Sequence, residues 1–185
     1  MIQHPIIWRN NLCQYGTISR LFHWIMAALV LLMLCLGWSI DLVPKSWKMD
    51  VIDVHKSIGI TVLLLVIMRL AWRFYNYPPP LPDYFPPWQN RASTYVHYLF
   101  YLLLFILPLT GWTTSVALGK PVVFFGLFQL PWTMTKDRAL GKSLEAIHGD
   151  LAYFLALLIL LHIVAALIHT FMGRSLRIWP LIIKK

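Results

Sequence analysis

Residues 148–170, HGDLAYFLALLILLHIVAALIHT, decide the fold of this chain. Beyond Asp150 the stretch holds no acidic or basic side chain, and about 20 apolar residues suffice for a transmembrane helix. Its three histidines, His148, His162 and His169, are therefore the anomaly. On an α-helix, the 14 residues from His148 to His162 leave the two rings about 40° apart around the axis and ~21 Å apart along it, so one imidazole stands near each side of the membrane. An ionisable group at bilayer depth is costly and marks a site, because it needs a partner inside the bundle. The expected partner is a metal.

The rest of the composition agrees with a membrane protein. Hydrophobic residues make up 59% of the chain, and four long apolar runs place it in the integral-membrane class as one domain over residues 1–185. Arg9 and Arg20 precede the apolar run Leu21–Ile40 as in a signal peptide, but the run is longer than an h-region and lacks a small-residue cleavage site. It reads as a permanent helix. The net charge of +9 comes from basic residues flanking apolar spans, which anchor helices and set topology. Nucleic acid is not expected. Cys13 lies before the first span and Cys35 within it, too far apart for a disulfide, and without CxxCH there is no covalent c-type haem.

These features predict an all-α membrane protein, a four-transmembrane-helix bundle with helices at about 18–40, 55–75, 95–118 and 149–172. Prolines from Tyr77 to Trp88 predict an extended connector. Between the last two spans, residues 122–132, VVFFGLFQLPW, are too short to cross and belong at the interface, where aromatics settle. The end carrying both termini holds Arg9, Arg20, Arg69, Arg73, Arg91, Arg174, Arg177, Lys184 and Lys185, nine of the sixteen basic residues. The positive-inside rule then puts both termini in the cytoplasm.

With that orientation the histidines fall into two levels. His55 and His148 share the outer level, and His23 shares the inner level with either His162 or His169. Paired imidazoles from different helices in an apolar core are a usual way to hold haem by its axial positions. The step of 14 recurs from His23 to Gly37, from His55 to Arg69 and from His97 to Gly111. Glycine there, and Gly59 one turn after His55, would let a flat macrocycle approach the backbone, and Arg69 would bring positive charge toward inner propionates. Taken singly, an intramembrane histidine serves as readily as a hydrogen-bonding packing residue. Transmembrane glycines are common packing devices, and Arg69 could equally snorkel to the surface. His97 reads as an interface or hydrogen-bonding residue, and His4 as a tail residue without a role.

Several motifs together resemble the bacterial cytochrome b561 family, small four-helix dihaem membrane proteins, over nearly the whole chain. They are Arg20-Leu-Phe-His23-Trp24, His55-Lys-Ser-Ile-Gly59, Met68-Arg69-Leu-Ala-Trp-Arg73 and Leu107-Pro108-Leu-Thr-Gly111, completed by His148 and His162. The resemblance implies two haem b groups, one held by His23 and His162 and the other by His55 and His148. His169 is then left unassigned.

What the resemblance implies for function is an inner-membrane oxidoreductase carrying electrons between an outer donor and ubiquinone. One branch of the family oxidises superoxide at the outer face. An anionic substrate calls for a positive funnel, yet Lys45, Lys48, Lys56, Lys120, Lys136, Arg138 and Lys142 are accompanied by Asp41, Asp50, Asp53, Asp137, Glu145 and Asp150. The outer face is nearly neutral, which leaves room for a periplasmic protein partner. Quinone is expected near the inner haem, where Arg69, His97 and the aromatic residues around Trp72 gather donors at membrane depth. The alternative function is a membrane-anchor cytochrome b subunit of a larger dehydrogenase or hydrogenase. A di-iron enzyme would bring HxxxH or HxxHH motifs, which the sequence lacks.

Overall fold

The computed structural model describes residues 7–80, 86–131 and 134–172. His4, the middle of the proline-rich connector, Trp132 and the basic residues Arg174, Arg177, Lys184 and Lys185 lie outside the described residues. Four long helices run α1 (Thr17–Ser39), α2 (Lys48–Tyr75), α3 (Pro87–Ala117) and α4 (Arg138–Phe171), with a hairpin of β1 (Val123–Phe124) and β2 (Phe128–Gln129) between the last two. Each helix is long and apolar enough to cross a membrane, so the chain is a multi-pass all-α membrane bundle.

The helices hold 23, 28, 31 and 34 residues, roughly 35 to 51 Å at the helical rise, against a hydrocarbon core of ~30 Å. The surplus lies at their starts. Helix α2 begins seven residues before His55 and α4 eleven before Gly149, in polar turns that a hydropathy reading passes over. Helix α4 opens on Asp137, whose carboxylate accepts the Leu140 N–H at 3.0 Å as an N-cap residue does. The connector is non-helical at residues 77–80, but it ends sooner than expected. Pro87 and Trp88 already belong to α3, because proline fits the first turn of a helix, where its missing N–H has no partner to lose.

Packing is sequential: α1 lies on α2, α2 on α3 and α3 on α4. Helices α1 and α4 have no backbone interface of that kind and meet instead through aromatic rings, Trp38 stacked on Tyr153 with centres 6.1 Å apart and His23 facing His162. The core between the four helices is apolar, built on Val30, Ile58, Val62, Leu103, Leu107, Leu155 and Leu158. Outside it, Leu64, Ile67, Leu102, Leu157, Leu160 and Ile168 are exposed, as side chains facing lipid tails are.

Both ends are fastened by polar contacts. At one, Asn10 holds the chain before α1 against the end of α2: its amide donates to the Asn76 and Tyr77 carbonyls, both at 3.0 Å, and its oxygen accepts from Gly16 N and Ser19 Oγ. Gly16 is obligatory there, since a Cβ would stand 2.4 Å from the Arg9 carbonyl carbon. At the other, the aromatic segment expected at the interface forms a β-hairpin clasped to α2. The Ser57 hydroxyl, 1% exposed, lies 2.8 Å from the Asp53 carbonyl and 3.2 Å from that of Val123, and accepts the Phe125 N–H at 3.0 Å. Phe125 needs that hold, because its φ of 45° is a left-handed conformation that a bulky residue rarely adopts.

Candidate functional site

Two of the four helices bring a histidine to each end of the core. His55, from the second turn of α2, and His148, from α4, face each other with ring centres 6.3 Å apart and planes at 74°. His23 of α1 and His162 of α4 do the same at the other end, also at 6.3 Å, with planes at 42°. Because His148 and His162 share one face of α4, that helix serves both sites. The ring across from His23 is thus His162, one of the two candidates that spacing left open.

Each remaining helix contributes a glycine at the His55 end. A Cβ on Gly37 would lie 3.3 Å from Cε1 of His55, and one on Gly111 would lie 3.1 Å from Cε1 of His148. These glycines leave room for the imidazoles themselves. Gly59 has a different setting: it faces the Met33 methyl at 3.5 Å and lines a cavity with Val30, Leu104, Pro108 and the two histidines. The cavity is small and half open, and it takes side chains from all four helices.

The halfway points also correspond. Seven residues beyond His23, His55, His97 and His148 come Val30, Val62, Leu104 and Leu155, and seven residues return nearly to the same helix face, about 20° short of two turns. Val30, Val62 and Leu155 are buried in the central cluster and Leu104 packs against it. An apolar plug therefore separates two histidine levels that lie ~21 Å apart along the helix axis.

At the His23 end the surroundings are cationic and aromatic. The Arg69 guanidinium lies 5.7 Å from the centre of the Tyr101 ring and donates toward the Met26 sulfur at 3.9 Å, and the Arg73 guanidinium lies 5.8 Å from the same ring. Among the described residues no carboxylate pairs with either arginine. Trp72 spends its N–H on Ser19 Oγ at 2.9 Å. His97 donates Nδ1–H to the Ser93 carbonyl at 2.6 Å, and its ring stands 6.0 Å from that of His162. Hydrogen bonding, the role expected for it, is what His97 does here. Phe100 closes on His162 from α3 at 5.3 Å.

The pairs fit a bis-imidazole metal centre. With metal–imidazole bonds of ~2.0–2.1 Å and a ring nitrogen ~1.1 Å from its ring centre, two imidazoles that each point a nitrogen at one metal between them would stand about 6.2–6.4 Å apart, centre to centre. Both pairs do. The Nδ1 atoms of His23 and His55 are buried with no hydrogen-bond partner. Among the described residues no group of three or more His, Cys, Asp or Glu side chains could hold a metal.

Sequence reasoning missed three contributors. Thr110 and the Leu107 carbonyl reach Nδ1 of His148 at 3.1 and 3.0 Å, and Ser57 clasps the hairpin. Thr110 lies inside a motif already singled out, but a hydroxyl one residue from a glycine carries no signal by itself. Ser57 lies two residues from His55, with nothing in the chain to say that a hairpin 66 residues away would need it.

Comparison with known proteins identifies the family. The family profile described as prokaryotic cytochrome b561 matches residues 14–182. The chain is 37% identical over 165 residues to cytochrome b561 homolog 2 of Escherichia coli (strain K12), covering 88% of this chain and 87% of that protein. It is 31% identical over 175 residues to a protein of Yersinia pestis named "Probable superoxide oxidase CybB", covering 90% and 96%. Cytochrome b561 homolog 1 of Escherichia coli (strain K12) matches at 29% over 133 residues, 69% and 74% of the two chains. With four helices able to cross a membrane and a family profile spanning most of its length, the chain belongs to the prokaryotic cytochrome b561 family, membrane electron-transfer proteins whose cofactor is haem b.

Proposed function

We propose that the protein is a dihaem cytochrome of the bacterial inner membrane, with both termini cytoplasmic, that carries electrons from an outer donor to ubiquinone. The observation that carries this reading is the repeated separation of 6.3 Å between facing imidazoles, at two levels on opposite sides of an apolar plug. His55 and His148 hold the outer haem, and His23 and His162 the inner one. Haem b supplies a one-electron iron couple. The helices supply two fixed stations and exclude water between them. Gly37 and Gly111 give the outer rings their space, and Gly59 lines the outer pocket.

Ubiquinone is reduced at the inner end. Its carbonyls need hydrogen-bond donors within the membrane, and Arg69 and Arg73, without a carboxylate among the described residues, can turn to an acceptor. The same charges favour the propionates of the inner haem. At the outer end three of the seven basic side chains are taken up in ion pairs: Lys48 with Asp41 at 2.7 Å, Lys56 with Asp53 at 3.1 Å, and Lys142 with Glu145. Lys48 holds the Asp41 carboxyl below its ordinary range by hydrogen bond and charge. Superoxide, the donor that the name of the Yersinia pestis relative suggests, would meet a nearly neutral face. A periplasmic redox protein, or a catalytic subunit for which this chain is the membrane anchor, is the second reading. It is favoured by that neutrality and by Phe125, Leu127 and Phe128 exposed on the hairpin.

Dithionite-minus-oxidised spectra and a pyridine haemochrome assay on the purified protein test the proposal. Two haem b per chain with low-spin spectra are expected; one or none would refute it. Reduction by a superoxide-generating system in the absence of other proteins then separates the two donors.

A further inference from the structure

The environments of the paired histidines differ in one respect that bears on electron transfer. Nδ1 of His148 faces two oxygens, the Leu107 carbonyl at 3.0 Å and Thr110 Oγ1 at 3.1 Å. Thr110 in turn lies 2.8 Å from the same carbonyl and directs its hydroxyl proton there. With that proton engaged, both atoms facing Nδ1 are acceptors, so Nδ1 must carry the ring's hydrogen. The tautomer is thereby fixed, and Nε2 keeps its lone pair for a metal. Gly111 lets the ring lie this close to the backbone of α3, for a Cβ there would stand 3.4 Å from Nδ1. Across the site, Nδ1 of His55 is buried without a partner, and so is Nδ1 of His23.

We infer that Thr110 is a positioning residue for His148 that makes the outer centre the harder of the two to reduce. This inference rests on the dihaem reading above. An imidazole that donates its second N–H to an oxygen is a more basic ligand, and such hydrogen bonding is one of the levers by which a protein sets the potential of bound iron. A stronger donor favours the more highly charged, oxidised metal. Near the inner pair the influence is opposite, because the Arg69 guanidinium, held beside Met26 and Tyr101, favours the less positive, reduced metal. The two effects order the stations in one sense. The step they favour moves one electron from the outer station to the inner one, oxidising the first and reducing the second by one unit. It breaks no bond and leaves the proton on Nδ1 of His148.

The test uses the full-length protein in detergent or nanodiscs, as wild type, Thr110→Val and Thr110→Ser, with haem counts and optical redox titrations. The outer component is identified as the one missing from His55→Ala. Valine should raise the outer midpoint by about tenfold in the reduction equilibrium, ~59 mV for one electron, and leave the inner midpoint in place, whereas serine should restore the wild-type value. Loss of the outer haem from Thr110→Val but not from Thr110→Ser would also support the assignment. An unshifted outer midpoint with both haems bound, or equal loss from both variants, would overturn it. Failure of the dihaem reading would be visible separately, as fewer than two haems in the wild type.

Discussion

The imidazoles of His55 and His148 face each other across 6.3 Å from α2 and α4, and Gly37 of α1 and Gly111 of α3 close on the same two rings. All four helices thus supply the His55 level, two with a ring and two with the absence of a side chain. A transmembrane bundle gains little from burying one apolar side chain against another, since lipid is equally apolar, so close backbone approach and polar contacts hold it together. At this level both are arranged around histidine.

On the dihaem reading proposed above, Gly111→Ala and Gly37→Ala should disturb the outer haem and spare the inner. The added methyl would stand 3.1 Å from His148 Cε1 in the first and 3.3 Å from His55 Cε1 in the second. Overpacking of this kind costs on the order of 1–3 kcal/mol. The Gly111 variant should be the more affected, because its neighbour is also tied to Leu107 and Thr110 and has less freedom to retreat. Low-temperature α-band spectra resolve the two haems, and an unaltered outer band in both variants would contradict the account.

Ser57→Ala should loosen the hairpin without unfolding the bundle. The change deprives the part-buried Phe125 N–H of its acceptor at 3.0 Å, a loss of roughly 1 kcal/mol. Much of that falls on a turn already strained at Phe125. Protease cleavage within residues 125–127 should accelerate while the haem spectrum stays as it was. Wild-type cleavage rates would mean that Lys56, which donates to the Pro121 carbonyl at 3.3 Å, is a sufficient fastening.

Arg69→Leu should slow reoxidation of the reduced protein by a quinone analogue while both haems remain bound. The guanidinium is the charged donor nearest the inner pair that no described carboxylate engages, and leucine can offer nothing to a quinone carbonyl. Stopped-flow traces of the haem α-band follow the reaction, and an unchanged rate would move the quinone site elsewhere.

The apolar runs and the recurring step of 14 residues made the bundle and its two levels legible, because membrane depth converts residue spacing directly into position. Where that conversion stops, the reading stops. The polar first turns of α2 and α4 lie beyond the apolar window, so their starts were placed late. Strands of two residues, turning through a positive φ at Phe125 rather than through an Asn-Gly pair, carry no hairpin signal. Distances within a level depend on how helices rotate against one another. For that reason spacing could give His23 two candidate partners but could not show that α1 and α4 meet through their rings rather than through their backbones.

The choice between His162 and His169 is the most exposed consequence of this arrangement. The seven residues between them put the two rings on one face of α4, about 20° apart and ~10 Å apart along the axis, so the depth of His23 alone would suit either. The ring facing His23 at 6.3 Å is that of His162, with Phe100 at 5.3 Å and His97 at 6.0 Å enclosing it from α3. Moving ligation to His169 would require α4 to slide by two turns against α3. The outer pair forbids this, because the same slide would carry His148 away from Leu107, Thr110 and Gly111. His162→Ala should therefore lose the inner haem and keep the outer one, while His169→Ala should keep both. Haem counts with low-temperature spectra decide between them, and the reverse pattern, with a haem lost only from His169→Ala, would show that the inner station lies one level deeper than the ring pairs indicate.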